Sequence, residues 1–293
     1  MKALLYACIF IFLMITSLPV SVFAQPAGPD NRFRVQTFYT ADADLDVSGD
    51  TGSFAVFGGQ ADLEFGWLTA DYIYRGYEWR DVDRLPFGDG ASDPWETLHK
   101  AAAGISHDDM GSEKWGYFFA AEVSTAFEEE MDDSFGARGW GGFIYRMPAW
   151  NLGFRMGALY DWNEVKSSVL PIIGIAWNNP GVQGFSAMVG IPLTAVTYRF
   201  SERWAIQAGM AFDSDTFRLA DDSPVSPEGY LETRDIGGEI ALLYTLSETL
   251  RLRVAGGGFF DRSLTIYDPD GNNGEEYDID PGAFGRVALS VAF

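Results

Sequence analysis

The sequence predicts an all-β chain, a closed antiparallel transmembrane β-barrel of 12 to 14 strands. Three observations carry that expectation. Apolar residues recur with period two in segments of about ten residues separated by turn chemistry. The connections between those segments alternate between tight and long, and the long ones hold the acidic residues. The chain also opens with an export-type leader.

The leader comes first in the chain. Lys2 supplies a positive start, and 4–18 is an apolar run broken by Cys8 and by Thr16 and Ser17. Pro19 ends the run, and Val22, Phe23 and Ala24 form a plausible signal-peptidase site. Cleavage after Ala24 leaves Gln25 as the mature start, 25–31 as a short lead and 32–293 as a single barrel domain. A retained anchor fits less well, because the run is short for a spanning helix. Leu5-Tyr6-Ala7-Cys8 does not read as a lipid-attachment box: the apolar stretch before Cys8 is too short and Tyr6 is bulky. Cys8 is the only cysteine and leaves with the leader, so the mature chain is expected to lack disulfides, thiolate nucleophiles and cysteine metal sites.

Removing Lys2 from 20 basic residues leaves 19 against 42 acidic ones, a mature balance of −23. That charge argues against a nucleic-acid partner, which needs a basic patch. The acids gather in 42–50, 81–96, 128–133, 221–228 and 268–280, together with Pro, Gly, Ser and Asn, so they belong to loops.

Period two is clearest in 115–128. Trp115, Tyr117, Phe119, Ala121, Val123, Thr125 and Phe127 oppose Gly116, Ala120, Glu122, Ser124 and Ala126, with Phe118 the exception. In 151–162, Phe154, Met156, Ala158, Tyr160 and Trp162 oppose Gly153, Arg155, Gly157 and Asp161. In 204–217, Ile206, Met210 and Phe212 oppose Gln207, Gly209, Asp213 and Asp215. Farther on, Ile240, Leu242 and Tyr244 oppose Glu239 and Ala241. Leu250, Leu252, Val254 and Phe260 oppose Arg251, Arg253 and Asp261. A soluble sandwich alternates too. Aromatics at both ends of the apolar rows, and a polar face rich in Gly, Ala and charges of both signs, favour a membrane barrel.

Strands near 32–40, 53–64, 67–79, 96–107, 114–127, 138–147, 151–162, 167–177, 184–191, 194–200, 203–219, 230–246, 249–266 and 277–293 make fourteen. If 53–79 and 184–200 are single bent elements, the count is twelve. Either number is even and puts every acidic loop at one end, as external loops opposite short periplasmic turns.

The last strand, Gly285 to Phe293, alternates and ends on an aromatic residue. It resembles the insertion signal of Gram-negative outer-membrane barrels, which implies that Val287, Leu289, Val291 and Phe293 are read by the barrel-assembly machinery. Gly190-Ile191-Pro192, Thr197-Tyr198-Arg199-Phe200, Trp204 and Gly229 to Asp235 resemble uncharacterised outer-membrane barrel families, domains of unknown function. That resemblance implies the fold and an outer-membrane setting among lipid and lipopolysaccharide, with no activity attached.

Catalytic and metal sites are not expected. His99 and His107 are eight apart on one strand, hence on one face but about 26 Å apart at ~3.3 Å per residue. Ser106 neighbours His107, so the two point to opposite faces. Asp268-Pro269-Asp270-Gly271-Asn272 begins like a calcium loop but has Asn273 and Ile279 where Gly and Glu are required, and 42–46 fails in the same way. No cofactor is implied. Weak divalent bridging from the acidic loops to lipopolysaccharide is a further expectation.

The candidate site is the set of lumen-facing charges: Glu122, Arg155, Asp161, Arg199, Arg203, Asp213, Asp215, Glu239, Arg251, Arg253, Asp261 and Arg286, with Asp235 beside them. Opposite signs on adjacent strands should meet, since an unpaired charge in a narrow lumen is costly. The function this predicts is a narrow passive channel or small-solute pore. The alternatives are a non-conducting structural or surface-interaction barrel and, third, a lipid-modifying enzyme.

Overall fold

The computed structural model describes residues 31–45, 52–179 and 181–293. The leader, its cleavage site near Ala24 and the acidic residues 46–50 lie outside the described residues.

In chain order the wall strands are β1 (Asn31–Asp44), β2 (Ser53–Phe65), β3 (Leu68–Arg80), β4 (Thr97–Gly111), β5 (Trp115–Phe127), β6 (Phe135–Met147) and β7 (Leu152–Asn163). They continue as β8 (Ser167–Trp177), β9 (Gly184–Ile191), β10 (Ala195–Arg199), β11 (Trp204–Arg218), β12 (Tyr230–Thr245) and β13 (Leu250–Tyr267). A short β14 (Glu275–Asp278) pairs only with β13, and β15 (Gly282–Ala292) pairs with both β13 and β1. That last pairing closes a fourteen-stranded antiparallel cylinder.

The count of twelve does not hold. Phe65 pairs with Leu68 across a two-residue turn, where Gly66 takes φ +59° and Asn31 Oδ1 accepts its N–H at 3.0 Å. The segment 184–200 is a hairpin that reverses between Ile191 and Ala195. The segment expected as one strand over 277–293 is two, because the break falls at Pro281, which cannot donate to a ladder.

The outer face is apolar, as lipid requires. Val123, Phe143, Met156, Val169, Ile173 and Ile240 are all exposed on it. Thirteen residues of β5 at ~3.3 Å each reach about 43 Å, enough to cross a bilayer's apolar band at a tilt. Aromatics mark its edges. Trp115 meets Tyr145 at 4.8 Å and Trp204 meets Tyr244 at 4.2 Å at the end of the tight turns, called here the turn end. Tyr72, Tyr74, His99 and Phe127 gather toward the opposite, loop end.

The cylinder is not uniform along its length. The hairpin of β9 and β10 is short: β9 meets β8 only at 173–177, and β10 meets β11 only at 205–209. Above it, 210–218 of β11 has no β10 partner and bends across the interior. Arg218 there bridges Phe127 of β5, and Glu128 N–H donates to the Arg218 carbonyl at 2.9 Å. β12 and β13 follow it. The bend occurs where Gly238 pairs with Gly258, flanked by Gly237 and Gly257, beside a bulge at Phe260. A Cβ at Gly257 would lie 2.1 Å from the Gly238 carbonyl oxygen, so only glycine permits this approach.

The inward strands carry the largest core. Trp95, Leu98, Phe217, Leu219, Leu231 and Leu264 are fully buried, with Phe54, Tyr77, Trp79 and Phe87 around them. This cluster fills the loop end of the lumen. A second, smaller cluster of Phe118, Ile144, Leu159, Leu170 and Ile172 coats the inner face of β5–β8. Phe118, which broke the alternation in sequence, is thus an interior side chain.

Candidate functional site: a charged lumen divided in two

Below the apolar cluster lies a cavity of about 600 Å³, lined by eleven basic and nine acidic side chains and reaching the rim of the turn end. Trp95, Tyr77, Phe54 and Leu264 form its roof. Strand register sets its charges face to face. Glu122, Arg138 and Asp161 sit opposite one another on β5, β6 and β7, and Arg138 reaches Asp161 at 3.2 Å and Glu122 at 3.7 Å. Arg34 holds Asp62 at 2.9 Å, Arg32 pairs with Glu64, and Arg253 with Glu239. Arg262 donates to Asp235 at 2.6 Å.

One network crosses the lumen. Arg75 on β3 holds Asp213 at 2.7 Å and also pairs with Asp215, both on β11, and donates to Thr233 on β12 at 3.1 Å. Lys100 on β4 holds the other Asp215 oxygen at 2.7 Å. Arg75, Lys100 and Asp215 are all buried, and the Arg75 guanidinium lies over the Phe217 ring at 5.2 Å. Such a set tolerates burial only while every charge keeps its partner. It ties β11 to the far wall.

The inward strands partition the interior. Asp213, Asp215 and Phe217 face β3 and β4, whereas Thr216, Glu232 and Arg234 on their reverse side face β5–β8. There Asn163 donates to Thr216 at 3.3 Å, and Lys166 pairs with Glu232. A side cavity of about 510 Å³ lies between, lined by Ser124, Arg138, Asp161, Asn163, Ser168, Glu232 and Arg234 among others.

Most of the predicted charges line the main cavity: Glu122, Arg199, Arg203, Asp213, Glu239, Arg251, Arg253 and Arg286. Asp161 and Asp215 line the side cavity, Asp215 being the partition's anchor. Arg155 is interior, 5.3 Å over the Phe118 ring and 2.8 Å from Asp108. Asp261 is the exception. The bulge at Phe260 places it opposite Ile236 on the outer side of β13, where it meets Arg234 at 3.2 Å. An extra residue in the strand shifts the alternation that put it in the lumen. Phe212 keeps its expected side, opposite Ile236 and on the face away from Asp213.

Arg34, Asp62, Arg75, Lys100, Arg138 and Arg262 are lumen charges that sequence reasoning missed. Arg138 had a usable signal, since its strand lies between those of Glu122 and Asp161 and an arginine there would satisfy both.

The histidines lie on the outer face. The Tyr72 hydroxyl lies 2.8 Å from His99 Nδ1, and His107 packs on Trp67 at 5.1 Å. Ser106 lines the main cavity, on the opposite side of the wall from His107.

At the loop end, Glu128 clasps the inward strands: its carboxylate accepts the Ala220 N–H at 2.9 Å. Burial pushes this carboxyl up to about 7, and the charges of Glu129, Glu130 and Asp222 add to the rise, against the lowering effect of the Ala220 amide.

No family model and no curated protein matches the chain. It is similar to the toluene transporter TodX of P. putida at 10% identity, over 95% of this chain and 93% of that one, with TM-score 0.40. It is similar to an outer membrane channel from Pseudomonas putida F1 at 9% identity, over 94% and 99%, with TM-score 0.43. An active-site mutant of outer membrane phospholipase A from Escherichia coli matches at 13% identity, over 97% and 96%, with TM-score 0.31. The chain itself forms a closed, fourteen-stranded barrel with an apolar exterior and a divided, charged interior.

Proposed function

We propose that this chain is a barrel of the Gram-negative outer membrane whose lumen is a narrow pore for small polar solutes, closed at its loop end. The observation that carries this reading is the cavity of about 600 Å³ beneath the apolar roof, a volume suited to binding a small solute. Fourteen strands give an interior between the side-chain-filled small barrels and the open large ones. Release of β11 from the far wall would join cavity and loop end. On this reading the loops face outward among lipopolysaccharide, and Val287, Leu289, Val291 and Phe293 address the assembly machinery. The chain is not read as an enzyme, since His107 and Ser106 stand on opposite sides of the wall.

The apolar cluster also favours a second reading, the permanently non-conducting barrel. Planar bilayers separate the two. The pore reading expects rare or small openings from the wild type and steady openings once the Arg75–Asp215–Lys100 network is broken. Silence from both, in folded barrels, would establish the second reading.

A further inference from the structure

We infer that the turn-end mouth of the main cavity is a binding site for a small soluble polyanion, a di- or tricarboxylate or a phosphate ester. This rests on reading the cavity as a solute site and names what it would take.

Among the described residues, Arg199, Arg203, Arg251 and Arg286 make no ion pair, although each lines the cavity. Scarcity of acid does not explain this, because the chain carries 42 acidic residues against 20 basic ones. The neighbouring Arg32 and Arg34 do have carboxylates, Glu64 and Asp62. The cavity as a whole is the basic part of an acidic protein, with eleven cations to nine anions.

The arginines also face one another. Arg251 on β13 lies near the like charges of Arg199 on β10 and Arg32 on β1; one level deeper Arg253, held by Glu239, lies near Arg286 and Arg34. Glu202 and Glu248 stand at the same rim, on the turns, without pairing to them. Register sets their heights: Arg251 on β13 lies level with Ser290 of β15 and, beyond it, Arg34 of β1, Arg199 ends β10 opposite Ala205 of β11, and Arg286 lies deeper, opposite Ala255. Guanidinium groups gathered without ion pairs of their own repel one another, and a ligand bearing several oxyanions relieves that with forked hydrogen bonds. Higher up, buried Arg262 uses Nε for Asp235 but leaves Nη1 without an acceptor. Aromatic floor is present too, with Arg286 over the Phe284 ring at 4.7 Å.

The test is calorimetric titration of the folded barrel in detergent at low salt with citrate, comparing the wild type with the Arg199→Gln/Arg251→Gln double variant. The site expects saturable binding by the wild type, weakened about tenfold or more in the variant, since each lost guanidinium removes a charge-assisted contact. It also expects the ligand-free variant to melt at or above the wild-type temperature, because repulsion is removed; a purely structural role would lower it. Absence of citrate binding by the folded wild type, or equal binding by both, would overturn the assignment. So would a response to short-chain phosphatidylglycerol without one to citrate, which would give the site to a lipid headgroup. Binding is measured with the roof in place, so it can fail while bilayer openings succeed, or the reverse.

Discussion

In the turn half of the barrel every strand stays in the wall, and the lumen charges that pair do so with neighbours set opposite by register, as Arg32 does with Glu64 and Arg34 with Asp62. In the loop half three strands leave the wall, and Asp213 and Asp215 find their cations on the far side. The first half is an ordinary cylinder with a basic mouth; the second is a cylinder folded upon itself around an apolar cluster. The comparison shows how one strand pattern yields both a cavity and its closure. Where glycine pairs allow a bend, interior charges become a tether.

The largest effect should come from Asp215→Ala. It strands Lys100 in a buried site and leaves Arg75 with Asp213 alone, at a cost of about 3–5 kcal/mol, and should loosen β11 from β3 and β4. Denaturant unfolding should show the loss, and protease should cut 219–229 faster while the folded barrel keeps its electrophoretic mobility. Unchanged proteolysis would show that the two halves do not differ in tethering.

Next in size is a matched pair of core truncations. Leu231→Ala in the roof and Leu159→Ala in the cluster on β5–β8 should each cost about 2–5 kcal/mol. Only Leu231→Ala should raise bilayer conductance, because only the first cluster lies across the lumen.

The clasp at Glu128 gives a pH effect. Its folded carboxyl titrates near 7, above the ordinary 4.5, so the protonated form is the one the fold favours. Its contribution is fully present below the ordinary value and is lost as pH rises through about 7. Proteolysis of 219–229 should therefore quicken between pH 5.5 and 8, after correction for protease activity, and Glu128→Gln should flatten the dependence.

The smallest effect is expected at Asp261→Asn. Its pair with Arg234 is partly exposed, so the loss should be under about 1 kcal/mol. Asp235→Asn, which removes the charge facing the buried Arg262, should cost more.

The cylinder was legible in the sequence because lipid outside and a polar lumen inside impose period two on each strand, as in Trp115 to Phe127. Strand parity placed Arg251, Arg253 and Arg286 on the inner face. It failed at Asp261, because the extra residue at Phe260 reverses the alternation beyond it. The glycine pairs at Gly237–Gly238 and Gly257–Gly258 were visible in the chain, yet their meaning depends on which strands stand opposite. The Arg75–Asp215–Lys100 network joins strands far apart around the wall, so no local spacing announces it.

The most direct measurement uses the absence of cysteine from the chain after residue 8. A single Ser290→Cys, in the cavity opposite Arg251, is placed in oriented proteoliposomes and exposed to a membrane-impermeant thiol reagent from each side in turn. Rapid labelling from the turn side and slow labelling from the loop side is the expected result, with the loop-side rate rising in the Asp215→Ala background. Equal labelling from both sides in the wild-type background would contradict a lumen closed by its own strands.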